Sequence, residues 1–344
     1  MHIERVDPED LTGRAVRGWY DVRRAARAAD DPHPPPMSWQ EHVGSLRYGW
    51  DGDRPEHWVA VDPDRGVVAG YQLELPRWDN RHLAEAEVVV HPARRRAGLG
   101  RALLAHLVAR ARAAGRRTLV GQVRTGSPGA GFAAAAGARV VLTDVRRVLD
   151  VTALAPAALT ARRAEAEAAS AAYRLLRWAG PTPAEHLAGV TALLTAMNDA
   201  PVGELDWEPE VWSAERIRAY EAAAAGRGDR PYTVVARHQP TGELAALTAV
   251  YVRGGHPQWS GQGDTVVLAA HRGHRLGLRV KLAMLPWLVA AEPAVRQLVT
   301  WNAASNRHMI AVNEALGYRV LDSWQDWQLD LTPPQVPVPA ARPA

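Results

Sequence analysis

Along the chain, short runs of β-branched residues alternate with longer stretches whose apolar positions recur three and four apart. These are the periods of a buried strand and of an amphipathic helix. Residues 2–6 predict a short strand and 8–29 a helix, with Asp7 or Asp10 able to cap its start. A proline-rich loop at 30–37 and a short helix at 39–48 follow. Residues 58–61 and 67–75 read as a hairpin around Asp62-Pro63-Asp64-Arg65-Gly66. The remaining pattern gives a strand at 85–90, a turn and helix at 95–114 and a strand at 118–123. A small-residue helix at 127–136 ends at Gly137, and closing strands occupy 139–151.

The plan then repeats. Strand 173–178 and helices 183–197 and 212–225 lead to a hairpin of 232–236 with 243–251. Strand 265–268, turn and helix 272–289, strand 297–301, helix 306–316 and closing strands in 318–331 complete it. Arg95 and Arg272 are 177 positions apart, as are Glu87 and Asp264, and Gly100 and Gly277. Gly137 and Gly317 are 180 apart. A repeat of this length marks a duplicated domain rather than a solenoid. The strand–helix order with one central crossover predicts two tandem domains of the α/β (mixed α+β) class, each a twisted central sheet flanked by helices. The expected units are 1–151 and 171–331, joined by an Ala-rich helical linker at 152–170 and followed by a disordered Pro/Ala-rich tail at 332–344.

Composition narrows the class. The 344 residues are 47% hydrophobic, enough for full cores, and contain no cysteine. Disulfides, a thiolate nucleophile and a Cys-based zinc site are excluded, and a cytoplasmic enzyme is expected. No apolar run reaches the roughly 18 residues needed to span a membrane, and the N-terminus lacks an apolar signal core. The net charge is only +4, and the arginines are interleaved with Asp and Glu. Nucleic-acid binding, which needs a dense basic face with aromatics among it, is therefore not expected.

Candidate chemistry centres on Val88-Val89-Val90 and the turn Arg95-Arg96-Ala97-Gly98-Leu99-Gly100-Arg101. A strand, a glycine turn and a helix start place free N–H groups and the positive end of the helix dipole together, an anion site suited to a pyrophosphate. The pattern lacks the third glycine of a dinucleotide fingerprint and the Gly-Lys-Ser/Thr of a Walker loop. Arg-x-x-Gly-x-Gly straight after a Val-rich strand resembles the pyrophosphate loop of the GNAT superfamily of N-acetyltransferases. With its echo at Arg272-Gly273-His274-Arg275-Leu276-Gly277-Leu278, the whole chain apart from linker and tail resembles a tandem GNAT protein, in a layout similar to that of mycothiol synthases.

That resemblance implies acetyl-CoA as cosubstrate and acetyl transfer to an amine by direct attack on the thioester. It implies cofactor contacts from the main chain of Val88, Val89 and Val90 and loop 95–101, and from Val266, Val267, Leu268 and loop 272–278. Arg275 stands where the first loop has Gly98, so its bulk either hinders the second loop or itself meets phosphate. Asn302 and Asn306 are also expected at the cofactor. Asn306, Met309, Asn313 and Gly317 share a helix face by their spacing. Asn313 stands where many members carry a thiolate-protonating tyrosine, and Tyr318 is the nearest phenol. The matching positions of the first unit are Gly126 and Ala133. The second unit is thus the expected catalytic one, although main-chain polarisation leaves the first open. Asp264 and Glu87, each eight residues before its loop arginine, are the candidate bases.

The acceptor is expected beside loop 199–210, where Asp199 and Asp206 flank Trp207 and suit a cationic amine. An aminoglycoside-like or similar small amine-bearing metabolite fits that description. The rival reading is a non-catalytic, regulatory CoA-binding protein. A monomer or homodimer is expected, with no nucleic-acid or membrane partner. The histidines show no metal-ligand spacing, and no metal is expected.

Overall fold

A computed structural model describes residues 1–154 and 156–332. The first half runs β1 (His2–Arg5), α1 (Arg14–Asp30), α2 (Trp39–Arg47), β2 (Glu56–Asp62), β3 (Gly66–Glu74) and β4 (Leu83–Val90). It continues with α3 (Leu99–Ala113), β5 (Thr118–Arg124), α4 (Pro128–Ala135) and β6 (Arg139–Asp150). Helix α5 (Pro156–Ala169) leads to β7 (Tyr173–Ala179), α6 (Leu187–Thr195), α7 (Ala214–Gly226), β8 (Arg230–His238) and β9 (Leu244–Val252). Then come β10 (Trp259–Val267), α8 (Leu276–Ala291), β11 (Gln297–Ala303), α9 (Arg307–Ala315) and β12 (Arg319–Asp330). The tail expected from 332 onwards lies, past Thr332, outside the described residues.

Local chemistry sets the helix starts. Ser38 caps α2 by accepting the Glu41 N–H, Ser213 caps α7 through Arg216 and Asn306 caps α9 through Met309. The first helix begins later than expected, at Arg14 after Gly13, and neither aspartate caps it. Asp7 instead accepts the Glu9 N–H, and Asp10 accepts the Thr12 hydroxyl. Such local turns compete with helix.

All strands form one sheet in the order β1-β2-β3-β4-β5-β12-β6-β11-β10-β9-β8-β7. The expected pair of closing strands in each half is instead a single twelve-residue strand. The segment 139–150 contains no Gly, Pro or Asn at which to fold back. The long strands are also exchanged. β12 lies beside β5 of the first half, β6 lies beside β11 of the second, and the two pair antiparallel at the centre. Buried Arg146 on β6 fastens this seam, donating to Asp322 on β12 and to Asp31 after α1, at 2.5–2.8 Å.

The parallel contacts β4–β5 and β10–β11 are brief. Leu83, Ala84 and Glu85 register with 118–120, and Trp259, Ser260 and Gly261 with 297–299, after which the strands separate. In each half the far end of the central strand thus has an edge without a ladder partner. Helices cover both faces. Val89 packs with Val16, Trp19 and Val22 of α1, while Val88 and Val90 pack towards Leu103 and Leu107 of α3. In the second half Val266 faces α6 and α7, and Val267 faces α8, on which α5 packs in turn.

Candidate active site

Both glycine loops take the same backbone path. In the first, Arg96 (φ 65°) and Gly98 (φ 82°) are left-handed; in the second, Gly273 (φ 89°) and Arg275 (φ 54°) are. These are equivalent positions with glycine and arginine exchanged. Each loop delivers its helix start, Leu99 or Leu276, straight after the second left-handed residue. The N–H groups of the first turn have no partner within their own helix there and point outward as an anion cradle. Arg275 does not block its loop. Its backbone adopts the turn that Gly98 adopts, and its guanidinium reaches Glu165 on α5 at 2.7 Å. The leading arginines act as clamps. Arg95 pairs with Asp30 through two contacts of 2.8 and 2.5 Å, and Arg272 pairs with Asp199 at 2.5 Å. Each also donates to the carbonyl of the strand residue five positions earlier, Val90 or Val267. Arg96 and Arg101 remain exposed beside the first cradle.

The central strands differ. β4 pairs with β3 without interruption, whereas β10 carries a bulge between Gln262 and Thr265. Gly263 sits in it, where a Cβ would come within 2.6 Å of the Tyr251 ring. The bulge turns Asp264 into a cleft between the sheet and α6–α7, lined also by Trp50, Trp212, Tyr220 and Tyr251. Burial, with Glu210 nearby, pushes the Asp264 carboxyl up to about 6. Glu87, at the equivalent place on β4, is exposed and lies 3.9 Å from the Arg23 guanidinium. That guanidinium, buried and bonded to the Ser45 hydroxyl at 2.6 Å, stands before Glu87, on the side where Asp264 meets open space.

Behind the β10–β11 opening runs a buried polar chain. The Lys281 ammonium on α8 donates to the Asn313 carboxamide oxygen at 2.7 Å, and the Asn313 amide donates to Asn302 on β11 at 2.8 Å. Tyr318 packs its ring 5.2 Å from the Lys281 ammonium and donates its hydroxyl to Gln262 on β10 at 3.4 Å. Burial pushes the phenol upward and the ammonium down to about 7. Asn306 spends its side-chain oxygen on the cap of α9.

The structure thus brings Asp264 to a cleft and links Asn302, Asn313 and Tyr318 in one network, but it places the expected acceptor residues elsewhere. Asp199 holds Arg272, and Asp206 accepts from Thr118 and His82 of the first half. Trp207 is half-buried in the same loop and, like them, does not line the cleft. The middle of the loop is held against the first half, where Glu204 meets Arg139 and Asp206 meets Thr118 and His82, while Asp199 stays with Arg272 of its own half. Sequence reasoning missed Trp50, Trp212, Tyr220 and Tyr251, whose convergence depends on the tertiary fold. It also missed the place of Lys281, although the sequence's only lysine, on a largely apolar helix, was a readable signal. Among the described residues no group of three His, Asp or Glu side chains could hold a metal ion, and no helix is long and apolar enough to cross a membrane.

Comparison with known proteins follows the same lines. Residues 19–130 match the sequence profile of the acetyltransferase (GNAT) family. Over 265 residues, 74% of this chain and 76% of the relative, the sequence is 32% identical to a mycothiol acetyltransferase of Thermomonospora curvata. A segment of 51 residues, 15% of this chain and 17% of the relative, is 51% identical to a mycothiol acetyltransferase of Mycobacterium sp. strain JLS. Among solved structures, a tandem GNAT protein from the clavulanic acid biosynthesis pathway superimposes with a TM-score of 0.79 at 32% identity, covering 96% of this chain and 99% of that one. A GCN5-related N-acetyltransferase from Sphaerobacter thermophilus shares the fold, with a TM-score of 0.68 at 15% identity over 96% of both chains.

Proposed function

Since the chain belongs to the GNAT acetyltransferase family, whose members use acetyl-CoA as cosubstrate, we propose that its second half acetylates a small amine and that Asp264 is the general base. The observation that carries this reading is the bulge of β10, which sets a carboxyl with a raised pKa at the end of a cleft. The first-half equivalent faces a guanidinium instead. The residues present fit the cosubstrate. Each loop offers a helix N-terminus for a pyrophosphate, and the edge of β10 past Gly261 offers main-chain groups without a ladder partner.

When bound there, acetyl-CoA supplies an activated acyl group as a thioester. The chain's own groups supply the rest. Above pH 6 the Asp264 carboxylate takes a proton from the incoming ammonium, directly or through water, and leaves a nucleophilic nitrogen. Free N–H groups along the β10 edge donate to the carbonyl oxygen as charge grows on it. As the new C–N bond replaces the C–S bond the nitrogen gives up its second proton, which the departing thiolate takes beside the Asn302–Asn313 pair. Those carboxamides donate hydrogen bonds without acting as acids. The first half, whose loop is equally well formed, serves as a second cosubstrate site or as a structural partner. Thr182, Thr233, Glu221 and the two tyrosines are the polar neighbours of Asp264 in the cleft. An aminoglycoside-like acceptor loses the acidic loop on which that expectation stood, and the mycothiol acetyltransferase relatives make their acceptor a second candidate.

The test is thiol release from acetyl-CoA with a panel of amines, comparing Asp264→Asn with Glu87→Gln. Asp264→Asn is expected to lose about 10²–10⁴ in kcat, and Glu87→Gln to stay within about threefold. The opposite ranking would move catalysis to the first half. Binding of acetyl-CoA without turnover of any amine would favour the regulatory reading.

A further inference from the structure

The cleft in front of Asp264 has a chemistry of its own. The rings of Trp212 and Tyr251 meet Tyr220 edge-on, with centroids 6.2 and 5.7 Å away. Trp50 meets the same ring at 5.0 Å. Between these rings the walls are aliphatic, from Val190 and Leu194 of α6, Ile217 of α7 and Leu247 of β9. The free volume is about 60 Å³, room for roughly four water molecules or a chain of a few carbons. Two carboxylates line the cleft: Asp264 on the strand floor, and Glu221 of α7, which accepts from the Thr182 N–H and the Arg218 guanidinium.

Trp50 comes from the other half of the chain, in the loop between α2 and β2. Its side chain is 59% exposed although it packs on Tyr220. Its loop is held across the seam. The Arg227 guanidinium donates to the Gly49 carbonyl and lies 6.0 Å from the Trp50 ring, and Arg216 donates to Asp51 at 3.0 Å while also holding Asp79. A large exposed indole fixed over an apolar cleft is a cover for whatever enters it.

We propose that the acceptor is a slender, largely apolar primary amine, a short linear alkyl amine, and that Trp50 of the first half closes the cleft over it. This rests on the reading of Asp264 as the base of an amine acetyltransferase and names its substrate class. The ammonium meets the Asp264 carboxylate and the faces of Tyr220 and Tyr251 by cation–π attraction. The carbon body replaces water against the aliphatic wall. A polyhydroxylated amine is too wide for the volume, and of the polar groups that line it Glu221 is held by Arg218 and Thr182 and the Tyr220 and Tyr251 hydroxyls bond each other, so its hydroxyl groups find few partners.

Calorimetric titration of the intact protein with n-butylamine, n-pentylamine, spermidine and kanamycin tests the proposal, alongside thiol release with each. The two apolar amines are expected to bind at least tenfold more tightly than kanamycin or spermidine. Trp50→Ala is expected to weaken them about tenfold, with Trp50→Phe recovering most of the loss, while the unfolding midpoint reports that the variants fold. Equal or tighter binding of the polar amines, no binding of the apolar ones, or Trp50→Ala indistinguishable from wild type would each overturn the proposal. Tight binding of apolar amines without turnover would uphold the substrate class and sink the catalytic reading. Turnover of polar amines alone would do the reverse.

Discussion

Replacing Lys281 by methionine gives a sharp test of the buried polar chain. Lys281 is 2% exposed, donates to Asn313 at 2.7 Å and lies over the Tyr318 ring. Burial lowers its ammonium from 10.5 to about 7. Between those values the native chain holds fewer protons than the unfolded chain, so stability rises with pH across that window and levels off below pH 7. From pH 6 to pH 9 the native state sheds the penalty of a buried charge over about two effective pH units, roughly 3 kcal/mol. Lys281→Met keeps the length and apolar stem but cannot titrate. It also strips the Asn313 oxygen of its donor, which costs about 1–3 kcal/mol at every pH. The stability of wild type minus that of the variant should therefore grow by roughly 3 kcal/mol between pH 6 and 9, whatever its starting value. Urea unfolding of both proteins at four pH values measures this. A gap that stays constant would show that Lys281 keeps its proton in the native state and that the burial argument fails.

Three further outcomes follow from the same geometry. Because Asp264 must be ionised to accept a proton, kcat/KM should rise with pH through about 6. Asp264→Asn should abolish that limb yet be about 1–3 kcal/mol more stable than wild type at pH 8, since a raised carboxyl pKa means the native charge costs stability above pH 6; an unchanged pH–rate profile would remove Asp264 from the mechanism. Arg216→Ala leaves the buried carboxylates of Asp51 and Asp79 without their cation and should cost about 3–5 kcal/mol in denaturant unfolding; a loss under 1 kcal/mol would show the seam does not depend on it. Arg275→Gly relieves a left-handed arginine, worth about 1 kcal/mol, and loses only an exposed pair with Glu165, worth less. It should unfold at equal or higher urea, and a marked fall would mean that the Arg275 side chain holds the loop.

The duplication was legible because strand and helix periods and loop glycines recur at fixed offsets, and these are local signals. The exchange of β6 and β12 was not, because both long strands carry the same alternating pattern and would satisfy either half. Only pairing across 176 positions, such as Arg146 with Asp322, selects the observed order. The place of Asp264 near the end of β10 was legible from its spacing to Arg272. The difference between its surroundings and those of Glu87 was not, because that depends on one extra residue in β10 and on where Arg23 lies. The acidic loop 199–210 misled because charge composition does not say which face a loop turns to the site. Its aspartates are occupied by Arg272, Thr118 and His82.

The asymmetry between the halves traces to what lies over each central strand. In the first half, α1 runs seventeen residues and lays Trp19 flush on the sheet, where a Cβ at Gly70 would come within 2.8 Å of the indole. One turn on, α1 sets Arg23 before Glu87. In the second half, Leu247 occupies the position matching Gly70, α6 is only nine residues long, and the space before Asp264 stays open. The first half keeps the same loop conformation because that depends on backbone, and the space over its central strand is filled by two side chains, Trp19 and Arg23. It contributes instead from outside, by lending β6 to the partner sheet and Trp50 to the partner cleft. With each sheet completed by the other half's strand, cutting the chain in the α5 linker would leave edges at β5 and β11 that only reassociation could cover. On the proposed reading of the second-half cleft, the acetylating unit is therefore the whole chain, because the half without the open cleft sets Trp50 over the site it faces.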